Sequence, residues 1–175
     1  MEMVIEELFG YQALEFDQVP AGLVVLRLLG AALFGAVIGF EREQRDHAAG
    51  LRTNMMVALA SATFAIIGLA IVAGIPPGND ERVQVDPLRL VEAVTGGVAF
   101  LAAGMIVFAQ GRVRGLSTGA AMWLSASAGL ATGLGLWLVG LLAAIGGLLI
   151  LGAVRRVERK LGIYGKRRYE EDENE

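Results

Sequence analysis

The 175-residue sequence contains no cysteine and only one histidine, His47. Without cysteine the chain has no disulfides, thiolate metal sites or cysteine nucleophiles, and a single histidine excludes multi-histidine metal sites within one chain. Walker, His-Glu-x-x-His and dinucleotide-binding motifs are also missing. We therefore expect a protein that is not an enzyme, holds no cofactor or metal, and does not bind nucleic acid.

Charged residues are scarce in the long apolar stretches of the chain. Of the 15 basic and 18 acidic residues, only Arg27 and Glu92 fall inside such a stretch. The stretches are long enough to cross a bilayer core, which requires about 20 helical residues. The sequence therefore predicts an all-α membrane protein, a bundle of about five transmembrane helices.

Five spans follow from the positions of the breakers and charges. Leu116 to Val154 contains no charge over 39 residues, too long for one span, and Gly133-Leu-Gly135 is the expected turn. The predicted helices cover about 19–40, 51–74, 90–109, 116–133 and 135–154. They lie between an acidic external segment, 1–18, and a charged cytoplasmic tail, 155–175.

The distribution of Lys and Arg predicts the orientation. An N-out arrangement places twelve of these residues inside, including seven in the tail, and only Arg82 and Arg89 outside. A shift of 65 residues also aligns Gly50-Leu-Arg-Thr53 with Gly115-Leu-Ser-Thr118. The bundle could therefore consist of two repeated parallel hairpins plus one helix, or the match could reflect chance among abundant Gly and Leu.

Arg27 and Glu92 are the two charges within the predicted spans. A lone charge there is costly and usually has a partner, so we expect these two residues to pair. The pair could be a structural clamp between the first and third helices, or part of an ion or proton pathway.

The cytoplasmic segments Glu41–Thr53 and Arg112–Thr118 are the second candidate site. Thr53 and Thr118 can cap the helices that begin there, although the helix starts and their arginines could instead hold a lipid phosphate. Gly35 and Gly39 fit the small-xxx-small pattern of close helix packing. The outer-loop acids Asp80, Glu81 and Asp86 are interpreted as solvated rather than as metal ligands.

The sequence resembles the membrane domain of the bacterial MgtC/SapB family over about residues 24–150. The resemblance is carried by Gly35–Glu43, Ala49–Asn54, Arg89, Gly97–Gly104, Val113–Thr118 and Trp123. The family residues that it implies are Glu41, Arg42, Gly50, Leu51, Arg52, Thr53, Arg114, Gly115, Leu116 and Thr118 at the cytoplasmic rim, and Gly97, Phe100 and Gly104 in helix packing. Ala99 and Ala102 depart from a glycine-richer family motif, and the soluble C-terminal domain of many members is not expected here.

Members of that family are inner-membrane proteins linked to low magnesium, virulence and survival in host cells. The resemblance implies a regulator that contacts other membrane proteins, such as the F-type ATP synthase. Contact with a second copy of the chain through a small-residue face also stays open. A small transporter or channel for Mg²⁺ or protons is the alternative. Its candidate lining would comprise Arg27, Ser61, Thr63, Glu92, Thr95, Ser125 and Ser127.

Overall fold

The computed structural model of the protein describes residues 20–44, 47–73, 86–109 and 112–160. Five helices lie in these ranges: α1 (Ala21–Glu43), α2 (Leu51–Ala73), α3 (Pro87–Met105), α4 (Leu116–Gly133) and α5 (Trp137–Lys160). The prediction of an all-α bundle is confirmed. The acidic segment 1–18 and most of the charged tail lie outside the described residues.

Three of these helices are long and apolar enough to cross a membrane, Ala21–Glu43, Leu51–Ala73 and Leu88–Met105. Trp137–Ala153 forms a shorter apolar helix within the described residues. α4 lies at the centre and contacts the other four helices. It separates two apolar clusters, one with Val57, Val94 and Met122, the other with Phe34, Ile38 and Ala144. Its small side chains allow this close approach from several directions.

A short β-hairpin stands where the sequence predicts the end of the third helix and a loop. α3 ends at Met105, and β1 (Val107–Ala109) pairs antiparallel with β2 (Arg112–Arg114). β-branched and aromatic residues favour these strands, and Gly115 follows at φ +89°, a conformation that glycine adopts without strain. We call the end of the bundle with this hairpin and the α1–α2 connection the hairpin end.

The opposite end, called the far end, carries the turn between α4 and α5. Gly135 has φ +85°, the amide of Leu136 donates to Ala131 O at 2.8 Å, and that of Gly135 donates to Thr132 O at 3.0 Å. These two bonds form a Schellman motif, which satisfies the last carbonyls of α4. The turn lies where the sequence places it, so α1, α3 and α5 end at the hairpin end and α2 and α4 begin there.

Candidate functional site

Arg42 joins the last turn of α1 to the first turn of α4. Its Nη2 donates to Thr118 Oγ1 at 2.9 Å and to Ser117 Oγ at 3.1 Å, and the side chain is 2% exposed. Glu41, one residue earlier, is 8% exposed. Since burying charges is costly unless polar groups compensate them, this arrangement is specific rather than a solvated loop. Arg42 therefore fixes how α1 and α4 meet at the hairpin end.

Asn54 connects the α1–α2 loop to α4. Its Nδ2 donates to Gly50 O at 2.8 Å and to Ala49 O at 3.1 Å, and its Oδ1 accepts from Ser125 Oγ at 2.8 Å. The side chain is 0% exposed. All three bonds lie in a buried site, where leaving any of these groups unpaired would be unfavourable. Asn54 thus holds together the segment that follows Ala49.

A side chain of the protein caps α2 at the hairpin end, whereas α4 begins at Gly115 without a side-chain cap, so the expected cap by Thr118 is wrong. Glu43 Oε2 accepts from Leu51 N at 2.8 Å, so a carboxylate occupies the positive end of α2. A Cβ on Gly50 would overlap this carboxylate, and a Cβ on Gly115 would overlap Met105 O. At the start of α2 this contact supports the interpretation of a cap rather than a bound anion. Arg45 and Asp46 of the same loop lie outside the described residues.

The other members of the cytoplasmic motif differ in exposure. Arg52, Arg114 and Leu116 are exposed, Leu51 and Thr53 are half-buried, and Thr118 is buried. The motif therefore has two sides. Its buried members bind α1, α2 and α4 to one another, while its exposed arginines face the surroundings of the protein.

Arg27 and Glu92 are not brought together. Arg27 Nη1 donates to Gly133 O at 3.0 Å, and the guanidinium lies against Gly135, whose Cβ would be 2.9 Å from Nη2. Glu92 is exposed on α3. The expected ion pair is thus corrected to a contact between Arg27 and the last carbonyls of α4, where the helix dipole favours a cation.

Replacing Arg27 with glutamine should lower the free energy of unfolding by about 2 kcal/mol, because a charge-assisted hydrogen bond to Gly133 O is lost. Glu92→Gln should not lower it, because the carboxylate is exposed on an apolar span and an amide is less unfavourable there. Denaturant-induced unfolding in detergent micelles measures both. If the two variants lost equal free energies of unfolding, and the double variant lost no more than either alone, the two residues would instead form a pair.

The glycines expected in helix packing fall into two groups. A Cβ on Gly35 would lie 2.6 Å from Asn54 O, and one on Gly39 would lie 2.8 Å from Leu51 Cα, so both positions let α1 approach α2. A Cβ on Gly97 or Gly104 would meet nothing within 4 Å, and Phe100 is 79% exposed. The last three residues therefore do not pack α3 against the rest of the bundle.

One face of α3 is exposed along most of its length. We call this set the outer face of α3: Glu92, Gly96, Ala99, Phe100 and Ala103. Glu92, Gly96, Ala99 and Ala103 are spaced alternately four and three residues apart, as in the line of contact between two packed helices. We call these four residues the seam. The opposite side, with Val94, Val98 and Ala102, is buried against the bundle. Glu92 lies about 6 Å along the helix from Leu88, inside the apolar span.

The hydroxyls expected to line a transport path are bonded within the protein. Ser61, Thr63, Thr95 and Ser127 each donate to the carbonyl four residues earlier in the same helix, at 2.8 to 3.0 Å. Such bonds satisfy a hydroxyl without water. Within the described residues, no group of three or more His, Cys, Asp or Glu side chains could hold a metal ion. Asp86 caps α3 by accepting from Leu88 N at 2.9 Å, whereas Asp80 and Glu81 lie outside the described residues.

The sequence did not predict the roles of three residues at this site. Asn54 carried a usable signal, since an amide inside an apolar span needs buried partners. Glu43 looked like part of a solvated loop, although a carboxylate close before a helix start can cap it. Ser125 was expected only as part of a transport lining, and its bond to Asn54 had no signal because the two residues are 71 positions apart.

Comparisons with known proteins agree on one family. The sequence profile of the MgtC family matches residues 28–160. Protein MgtC of Salmonella typhimurium is 36% identical over 150 residues, 83% of this chain and 60% of its own length. YhiD of Escherichia coli K12, described as a candidate magnesium transporter, is 33% identical over 140 residues, 78% of this chain and 63% of its own length.

Protein MgtC of Brucella abortus is 42% identical over 104 residues, which are 59% of this chain and 39% of that protein. The chain thus spans about two fifths to just under two thirds of the length of these relatives. No solved structure matches the chain.

Proposed function

We propose that the chain, which belongs to the MgtC family, is a non-enzymatic regulator. It would bind another membrane protein through the outer face of α3. The observation that carries this proposal is Glu92, a carboxylate exposed on an apolar span. A charge facing lipid is unfavourable, so a partner side chain that donates to it would stabilise a complex.

The rest of the outer face suits contact with a helix. Gly96, Ala99 and Ala103 are small, so the backbone of a partner helix can approach closely, as in other transmembrane helix pairs. Phe100, beside this seam, offers a large apolar contact. The partner we propose is a transmembrane helix with a basic or hydroxyl side chain level with Glu92. The F-type ATP synthase is the candidate that the family resemblance implies, and a second copy of this chain is the other.

We propose that the protein lies in a bacterial inner membrane with the hairpin end in the cytoplasm. This orientation is supported by Arg42, Arg52, Arg112 and Arg114 at the hairpin end, where the basic end of α5 also lies. Arg89 lies near the far end. The acidic N-terminus would then be outside, and Glu92 would lie in the outer leaflet. A role in adaptation to magnesium limitation or stress is proposed on the basis of the family resemblance.

Gly96→Leu should weaken partner binding, because a leucine on the seam prevents close approach of the helices. We expect affinity to fall about tenfold or more, which corresponds to about 1.4 kcal/mol. The assay is ATP-driven proton pumping by F-type ATP synthase in liposomes that also contain this protein. Gly97→Leu is the matched control, since both glycines have open space at the Cβ but Gly97 lies off the seam. Equal behaviour of the two variants would rule out the outer face.

A small Mg²⁺ or proton transporter is the second candidate, favoured by the description of YhiD, which is 33% identical over 78% of this chain. The internal hydrogen bonds of Ser61, Thr63, Thr95 and Ser127 favour the regulator instead. Mg²⁺ and proton flux into liposomes containing the purified chain decides between them. Flux that depends on Glu92 would contradict the regulator hypothesis and support the transporter hypothesis.

A further inference from the structure

We propose that a groove between α2 and α3 binds an acyl chain of one anionic phospholipid, whose phosphate contacts Arg52 and Arg114. This site is separate from the outer face of α3 and does not depend on the proposed function. The groove has a volume of about 560 Å³, within the range of ligand-binding pockets.

The groove exists because α2 and α3 diverge toward the hairpin end. Near the far end they touch, since a Cβ on Gly68 would lie 2.7 Å from Leu90 Cδ2. Toward the hairpin end the groove opens between them, and Met122 of α4 contributes to its lining. The lining from α2 includes Met56, Ala60 and Phe64, and that from α3 includes Gly97, Leu101 and Met105.

The length of the groove matches one leaflet of a bilayer. Its lining runs from Thr53 to Phe64 on α2, about 17 Å at 1.5 Å per residue. Half of a bilayer core is about 15 Å thick. Because both walls are outer surfaces of membrane helices, the material that reaches the groove comes from the bilayer. An acyl chain of the leaflet at the hairpin end therefore fits along its whole length.

The polar groups of the groove fix the direction in which a lipid would lie. Of its two hydroxyls, that of Ser61 is committed to Val57 O at 2.9 Å, while Thr53 lies at the hairpin end. Arg52 adjoins Thr53 and is exposed. Arg114, also exposed, precedes Gly115, which packs against the carbonyl of Met105 at the same end. An apolar groove with two exposed arginines at the same end of the bundle is complementary to an anionic lipid.

Native mass spectrometry of the full chain, delipidated in detergent and titrated with phosphatidylglycerol or phosphatidylcholine, tests the site. We expect one phosphatidylglycerol molecule to bind tightly and phosphatidylcholine to bind more weakly. Arg52→Gln and Arg114→Gln should each lower the affinity for phosphatidylglycerol about fivefold, as expected for about 1 kcal/mol per cation at an anionic surface. Together they should weaken it about 30-fold.

Two variants fill the groove from opposite walls. Gly97→Leu and Ala60→Leu should each abolish the tightly bound lipid, whereas Gly96→Leu, on the outer face, should retain it. Equal lipid retention by Gly97→Leu and Gly96→Leu would overturn the proposal, as would equal affinity for the two lipids. A dimer that Gly97→Leu dissociates without loss of lipid would also overturn it, and would identify the groove as an interface between copies.

Discussion

Gly129→Ala is expected to lower the free energy of unfolding by about 3 kcal/mol, the upper end of the usual penalty for overpacking. A Cβ at this position would overlap Ala58 O and lie 2.6 Å from Ala58 Cα. Both atoms belong to the backbone of α2, so no side-chain rotation can relieve the clash. The two helices would have to separate, and the contacts of α4 with α1, α3 and α5 would be disturbed as well.

Gly146→Ala is the matched control for this substitution. Gly146 lies in α5, and a Cβ there would meet nothing within 4 Å. Alanine should leave the free energy of unfolding unchanged or raise it by up to about 1 kcal/mol, because alanine favours the helix. Chemical unfolding of both variants in the same detergent makes the comparison. A similar response at the two positions would contradict the close packing of α2 on α4.

Asn54→Asp is the second substitution with a large expected effect. The side chains have nearly the same shape, but the carboxylate cannot donate to Gly50 O and Ala49 O as the amide does. Two carbonyl oxygens would then face a carboxylate oxygen in a site with no solvent exposure. We expect a loss of about 3 kcal/mol or more in the free energy of unfolding, together with release of the α1–α2 loop.

Thr63→Val provides the control for the polar substitution. Thr63 is exposed, and its hydroxyl donates to Leu59 O of its own helix at 2.9 Å. Its loss should change the free energy of unfolding by less than about 0.5 kcal/mol. Thermal unfolding gives the difference, and protease accessibility of the loop near Gly50 reports its release. A stable Asn54→Asp variant with a protected loop would show that these bonds do not hold the segment.

The helical architecture was predictable because membrane spans are strongly constrained. A bilayer excludes charges and unsatisfied backbone groups, so long apolar stretches between charged segments must form helices. The β-hairpin was not predictable, since strands of three residues leave little periodicity to detect. The turn at Gly135 was predictable because an uncharged stretch twice the length of one span must reverse direction, and glycine favours the required φ.

The contacts of the two intramembrane charges could not be read from the sequence. Arg27 bonds to a backbone carbonyl, and every residue offers one, so the sequence contains no sign of this partner. Glu92 was assigned a partner because buried charges require one, but it lies on an exposed face. Which face of a membrane helix points to lipid is poorly encoded in its hydropathy, because both the interior and the lipid are apolar.

Site-specific photo-crosslinking in bacterial membranes tests most directly whether the outer face of α3 binds a partner. A photoreactive residue would replace Gly96 on this face, and in a control would replace Leu149, which is 63% exposed on α5. We predict one discrete protein adduct from position 96, weakened by Glu92→Gln, and only lipid adducts from position 149. Lipid adducts alone from position 96, or the same protein adducts from both positions, would contradict the proposed role of this face.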